Sequence, residues 1–227
     1  MNEHAERDKS FYFNDDVIFL VGGSLFKIPR KPFEEGSEVF RDMFQLPVSA
    51  GCAAEGHDDS NPIRLEGIEK EEFKYFLKVM FPAPEFSEVS LTEWTSVLKL
   101  SKLWAFDAMR ERAINVMSTI AIPCAMKASL AINYNVDKWL LPALNDLAKR
   151  KEPISIEDVE LLGVQVALKM AAVRESVKAS DYQPKNGPIR SGYLLVGERD
   201  AKYVNFTHSI MVVLESELRE WQHHATP

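Results

Sequence analysis

The sequence predicts an α+β N-terminal half, with a three-stranded sheet and about five helices, followed by an all-helical half. Two short apolar runs, Val17–Val21 and Leu25–Ile28, flank Gly22-Gly23-Ser24. A two-residue hairpin turn needs residues that tolerate positive φ, so this stretch reads as a β-hairpin. A third short strand, Ile63-Arg64-Leu65, lies between Pro62 and Gly67. The second half is helical in pattern throughout, with apolar residues recurring at helical spacing.

In chain order, residues 1–12 are a polar arm, with Phe11, Tyr12 and Phe13 as its first apolar anchor. Val17–Val21 is continuously apolar, as a strand buried on both faces should be. Pro29 ends the returning strand because it has no N–H to donate to a ladder. Pro32 fits the first turn of a short helix that Gly36 would close. Ser37 is an N-cap for a second helix carrying Val39, Phe40, Met43 and Phe44. Residues 45–61 read as a mobile loop rich in Gly, Ala, Ser and Asp. Residues 70–81 form a helix with Phe73, Phe76, Leu77 and Met80 on one face, stopped by Pro82. Ser90-Leu-Thr-Glu93 is a capping box opening a helix with Trp94, Val97, Leu98, Leu100 and Leu103. Asp107 caps the next, with Met109, Ala113, Val116 and Met117.

Beyond this point Ile122–Tyr134 is a helix, and Asp137 caps another in which Pro142 should mark a kink or a late start. Ser155 to Asp158 caps one long helix reaching about residue 177, with Val159, Leu162, Val166, Met170 and Val173 on one side. Residues 181–200 are a loop or linker rich in Gly and Pro, and residues 201–227 hold a last amphipathic helix.

The composition narrows the function. A chain of 227 residues with 46% apolar and 27% charged residues can build one large or two small globular units. A net charge of −7 and a pI near 5.4 weigh against binding a phosphate backbone, so no nucleic acid is expected as a partner. The two cysteines, Cys52 and Cys124, form no CxxC pair and read as free thiols in a reducing compartment. Residues 1–10 carry no apolar core of a signal peptide, and Thr119–Met126 falls far short of the ~20 residues of a membrane helix. The expectation is an intracellular protein, cytoplasmic or nuclear, with no membrane partner.

No catalytic, cofactor-binding or metal-ligating set emerges. Gly22-Gly23-Ser24 sits between strands, whereas a P-loop runs into a helix. His4, His57, His208, His223 and His224 have no cysteine or carboxylate at ligand spacing. Glu34-Glu35, Asp58-Asp59 and Glu71-Glu72 read as solvated surface pairs, and no GxSxG occurs. The chain therefore reads as a binding module rather than an enzyme, with no cofactor.

One stretch, FKIPRKPFEEGSEVFRDMF at residues 26–44, carries more information than the rest. Together with Asp16-Val17, its Phe26, Pro29-Arg30, Phe33, Ser37, Phe40 and Met43-Phe44 resemble the opening of the BTB (POZ) domain. Residues 63–77, IRLEGIEKEEFKYFL, and residues 96–113 resemble its later strand and helices. Pro29 stands where many members have histidine, which is closer to the short, divergent fungal BTB proteins.

The resemblance implies a BTB domain over residues 13–119 and a helical, BACK-like extension over residues 120–180. It also implies a homodimer whose surface uses the N-terminal arm and the first helices, here Phe11, Phe13, Phe33, Phe40, Met43 and Phe44. Function would be scaffolding or adaptation through protein partners. Narrower versions are a substrate adaptor on a cullin scaffold and a transcriptional co-regulator without direct DNA contact. The stretch QLPVSAG after Phe44 lacks the hydrophobic-x-Glu signature of strong cullin binders.

Overall fold

A computed structural model describes residues 15–46, 55–82, 89–176, 201 and 204–223. The chain divides into two compact units, Met1–Ile120 and Ala121–Pro227. The first is α+β and the second helical.

The first unit is built on a three-stranded sheet in the order β2-β1-β3. Strand β1 (Asp16–Val21) is central, and its Val17, Ile18, Phe19 and Val21 are all buried. It pairs antiparallel with β2 (Ser24–Pro29), from Val21↔Ser24 to Asp16↔Pro29. Gly22 and Gly23 take φ of +53° and +74° in the connecting turn, a conformation costly for any residue with a Cβ. Residues in β2 alternate in exposure, as befits an edge strand, and Leu25, Lys27 and Pro29 face outward. Strand β3 (Ile63–Arg64) lies parallel to β1, with Phe19 opposite Ile63.

Residues 55–61, expected as part of a free loop, are tied to this sheet. The Ile18 N–H donates to the Gly56 carbonyl at 2.9 Å, and the Gly56 N–H donates to the Asn61 carbonyl at 2.7 Å. Asp58 accepts from the N–H groups of Ser60 and Asn61, folding the turn that leads into β3.

Five helices follow the chain around the sheet: α1 (Lys31–Gly36), α2 (Glu38–Gln45), α3 (Lys70–Met80), α4 (Leu91–Leu103) and α5 (Asp107–Thr119). The Ser90–Glu93 capping box opens α4 as the sequence predicts, and Asp107 is the first residue of α5 with Phe106 in the cap position. Leu103, read as an inward residue, is exposed. Gly36 does not close α1 with a left-handed turn; Ser37 follows it in extended conformation. Gly36 is needed for space instead. A Cβ there would come within 2.8 Å of the Phe106 ring, itself buried and unable to yield.

The second unit contains α6 (Cys124–Tyr134), α7 (Asp137–Lys149), α8 (Ile156–Leu162), α9 (Val164–Glu175), α10 (Thr207–Val213) and α11 (Glu215–His223). Helix α7 begins five residues before Pro142 and runs through it. Pro142 is exposed, so the residue without an N–H lies on the solvent side of the helix. The expected long helix from Ser155 breaks at Gly163, where φ is +79°. The expected C-terminal helix likewise breaks at the buried Leu214. The linker at 181–200 lies outside the described residues.

Two arginines fasten this unit. Arg174 is buried, and its guanidinium donates to the Leu147 carbonyl at 2.6 Å and the Glu152 carbonyl at 2.7 Å, capping the end of α7 from α9. Arg150 pairs with Asp158 and donates to the Pro153 carbonyl at 2.8 Å, closing the α7–α8 loop. Hydrogen bonding from Arg150, assisted by the Ser155 N–H and hydroxyl, holds the Asp158 carboxyl below the usual range against the opposing effect of burial.

Because the folded state binds the Asp158 proton more weakly than the unfolded chain, the pair stabilises fully above the unfolded pKa of about 3.9 and is lost as pH falls through the depressed folded value. Asp158→Asn is expected to cost about 1–2 kcal/mol near pH 7 and to flatten the acid limb, read by hydrogen exchange of the α8 amides. In the first unit, Gly36→Ala is expected to destabilise by about 1–3 kcal/mol in urea titration, because Phe106 has nowhere to move.

Candidate protein-binding face on the N-terminal unit

The face is set from beneath by aromatic packing. Phe33, from α1, is fully buried, with its ring centroid 5.3 Å from Phe19, 5.0 Å from Phe40 and 5.6 Å from Phe106. Phe40, from α2, is equally buried and lies 5.4 Å from Trp104. Most of these rings meet edge to face, the arrangement their quadrupoles favour. Ser37 joins the two helices: its hydroxyl accepts from the Phe40 N–H at 3.1 Å and donates to the Trp104 carbonyl at 2.5 Å. That carbonyl belongs to the tight α4–α5 corner, where Ala105 has a φ of +51°.

This corrects the expectation that Phe33 and Phe40 stand on an interaction surface. They are core residues that hold the surface in place. Met43 and Phe44 are half-buried at its border. Phe44 is covered by Arg30, whose guanidinium carbon lies 4.4 Å from the ring centroid and whose Nη2 donates to the Phe44 carbonyl at 3.4 Å. Arg30 also pairs with Glu34 at 3.5 Å, so the start of α1 is tied to the end of α2. Phe11 and Phe13 lie outside the described residues.

The outward side of α2 carries what the sequence reading missed. Val39 is 45% exposed and Leu46 67% exposed, and with Met43 they occupy positions i, i+4 and i+7 of one helical face. The sequence places Val39 on this helix together with Phe40, Met43 and Phe44 without saying which side each takes. The outward direction of Val39 follows from its neighbour Phe40, which takes the core position. Glu38, Asp42 and Gln45 flank the stripe and are exposed. An apolar stripe with a polar border is suited to bind a complementary protein surface.

The polar groups of this unit are engaged in structure. Lys78 meets Glu93 at 2.8 Å and Lys99 meets Glu72 at 2.7 Å, both linking α3 to α4. Burial opposes the charge on Glu93, yet Lys78 and the Ser90 cap hold its carboxyl below the usual range. Among the described residues no group of three His, Cys, Asp or Glu side chains is placed to hold a metal ion, and no helix is long and apolar enough to cross a membrane. His57 and His208 are exposed, and Cys124 begins α6.

Comparison with protein-family models and with curated proteins finds no match for this chain.

Separating support from surface gives a direct test. Phe40→Ala is expected to cost about 3–5 kcal/mol of unfolding free energy, as deletion of a buried ring does. Leu46→Asp, at an exposed position, is expected to leave the helical content of the folded protein unchanged by circular dichroism.

Proposed function

We propose that this protein is a protein–protein interaction module acting as a dimeric scaffold or adaptor, with its first unit a BTB-like domain and its second a helical extension. The observation that carries this reading is the Val39–Met43–Leu46 stripe, an apolar face left on α2 while the rings behind it are buried. The β-β-α-α-β-α-α-α order of the first unit is the order read from the sequence, and it supports this reading. The polar inventory supports the same reading, since Glu93, Asp158 and Glu217, whose carboxyls are held below the usual range, are bound to lysines, an arginine or helix caps. In this reading α1 and α2 present the dimer face, and Arg30 keeps Phe44 fixed at its border.

Light scattering after size exclusion tests the dimer at micromolar concentration. The expected mass is about twice 25.8 kDa, and the double variant Val39→Asp/Leu46→Asp is expected to run as a monomer with unchanged helical content. A parent protein that stays monomeric would remove the dimer from the proposal. A cullin pull-down separates the adaptor version from scaffolding alone.

A further inference from the structure

Helix α9 is apolar on two sides. Val166, Met170 and Val173 are buried within the second unit, while on the other side Val164 is 62% exposed and Leu168 66% exposed. Leu161, just before the Gly163 break, adds a third exposed apolar side chain at 42%. A helix that is apolar on opposite sides is ordinarily covered on both.

The outer stripe borders a groove of about 410 Å³ bounded by α6, the α8–α9 corner and α11, with Ile132, Val164 and Trp221 in its lining. It continues along α9 past Leu168 to Ser216 and Glu220. Gln165, Glu217 and Glu220 line both parts, so the two form one channel.

The charge along this channel is one-sided. Among the described residues Lys169 is the only cation in its lining, and its Nζ is already bound to both Glu217 oxygens at 2.5 and 2.7 Å. Glu220 has no ion-pair partner among the described residues. Helix α8, whose Leu161 lines the groove, carries Glu157 and Glu160 exposed to solvent, while its Asp158 is buried and paired with Arg150. In α11, Glu215 is paired with Arg219 and Glu217 with Lys169, which leaves Glu220 as the carboxylate that lines the groove without an ion pair among the described residues.

We propose that this groove receives an amphipathic helix with a basic flank from a partner protein. Its apolar side chains, at i, i+3 or i+4, and i+7, would lie along Leu161, Val164 and Leu168, and its lysines or arginines would face Glu220 and the acidic α8. A second copy of the same face is a poor occupant, because acid would meet acid across the contact. The proposal concerns the second unit alone and stands independently of the dimer face on α2.

Fluorescence anisotropy with the full chain tests it. The probe is a labelled peptide of roughly 16 residues with leucines at helical spacing and lysines elsewhere, compared with the same peptide carrying glutamates in place of lysines. The lysine peptide is expected to bind about tenfold or more tightly than the glutamate peptide, a difference of about 1.4 kcal/mol or more. Leu168→Asp is expected to abolish binding. That variant adds negative charge, so attraction due to net charge alone would strengthen instead, and such a result overturns the proposal. Glu220→Lys is expected to weaken binding about tenfold. Met211→Asp, at an equally exposed apolar position on α10, is expected to leave it unchanged. Equal binding of both peptides, binding of neither, or self-association that Leu168→Asp removes would each overturn the assignment. Circular dichroism melts check that Leu168→Asp and Glu220→Lys remain folded.

Discussion

The Ser37 hydroxyl is the point on which the first unit turns. It does two things that no apolar residue could do together. It caps α2 by accepting from Phe40, and it satisfies the Trp104 carbonyl at the α4–α5 corner, some 67 residues away in sequence. The hydroxyl is buried, so both bonds form in a poorly solvated interior where an unmet carbonyl is costly. Around it the rings of Phe19, Phe33, Phe40, Phe73, Phe76, Trp104 and Phe106 interlock edge to face. Aromatic packing buries this region, while the hydroxyl favours the alignment of α2 against α4 in which both the Phe40 N–H and the Trp104 carbonyl find a partner. The orientation of Val39, Met43 and Leu46 follows from that alignment.

Much of this was legible in the sequence, because burial on one side leaves a periodic trace. The hairpin glycines, the Ser37 cap, the Ser90–Glu93 and Ser155–Asp158 boxes, and the buried Phe73, Phe76, Trp94, Val97, Leu98 and Leu100 read correctly from spacing and capping chemistry. What failed has a common physical cause. Val159, Leu162, Val166, Met170 and Val173 keep a helical period across Gly163, so periodicity alone could not place the break; a positive φ at one glycine decided it. Phe33, between Pro-Arg-Lys-Pro and paired glutamates, has a surface-like neighbourhood, and its burial depends on Phe106 from far along the chain. In α2 the apolar residues cover more than one side, and a pattern does not say which side faces inward. Val39 and Leu46 were therefore missed as surface residues, although Met43 and Phe44 were not.

Arg174 was also hidden by its context, a cation following a run of inward apolar residues. Its burial is tolerable because its donors end on backbone carbonyls that would otherwise lack partners at the end of α7 and in the loop beyond. Arg150 and Asp158 do comparable work at the same loop with opposite charges. The second unit is thus apolar in its mass but polar at its joints. Hydrophobic contact tolerates small slides of one helix along another, whereas a planar guanidinium aimed at two carbonyls does not. These joints fix the register at which α8 and α9 meet, and with it the course of the groove beside them.

Strand β2 carries a different kind of consequence. Its outer edge has no strand beside it among the described residues, which would normally offer a template for uncontrolled growth of the sheet. Lys27 stands exposed in the middle of that edge, and Pro29 ends it without an N–H. An incoming strand would have to desolvate an ammonium group and forgo a ladder bond at the same time. Both features oppose fibril-like extension of the sheet along β2, and they are written into the strand's own sequence.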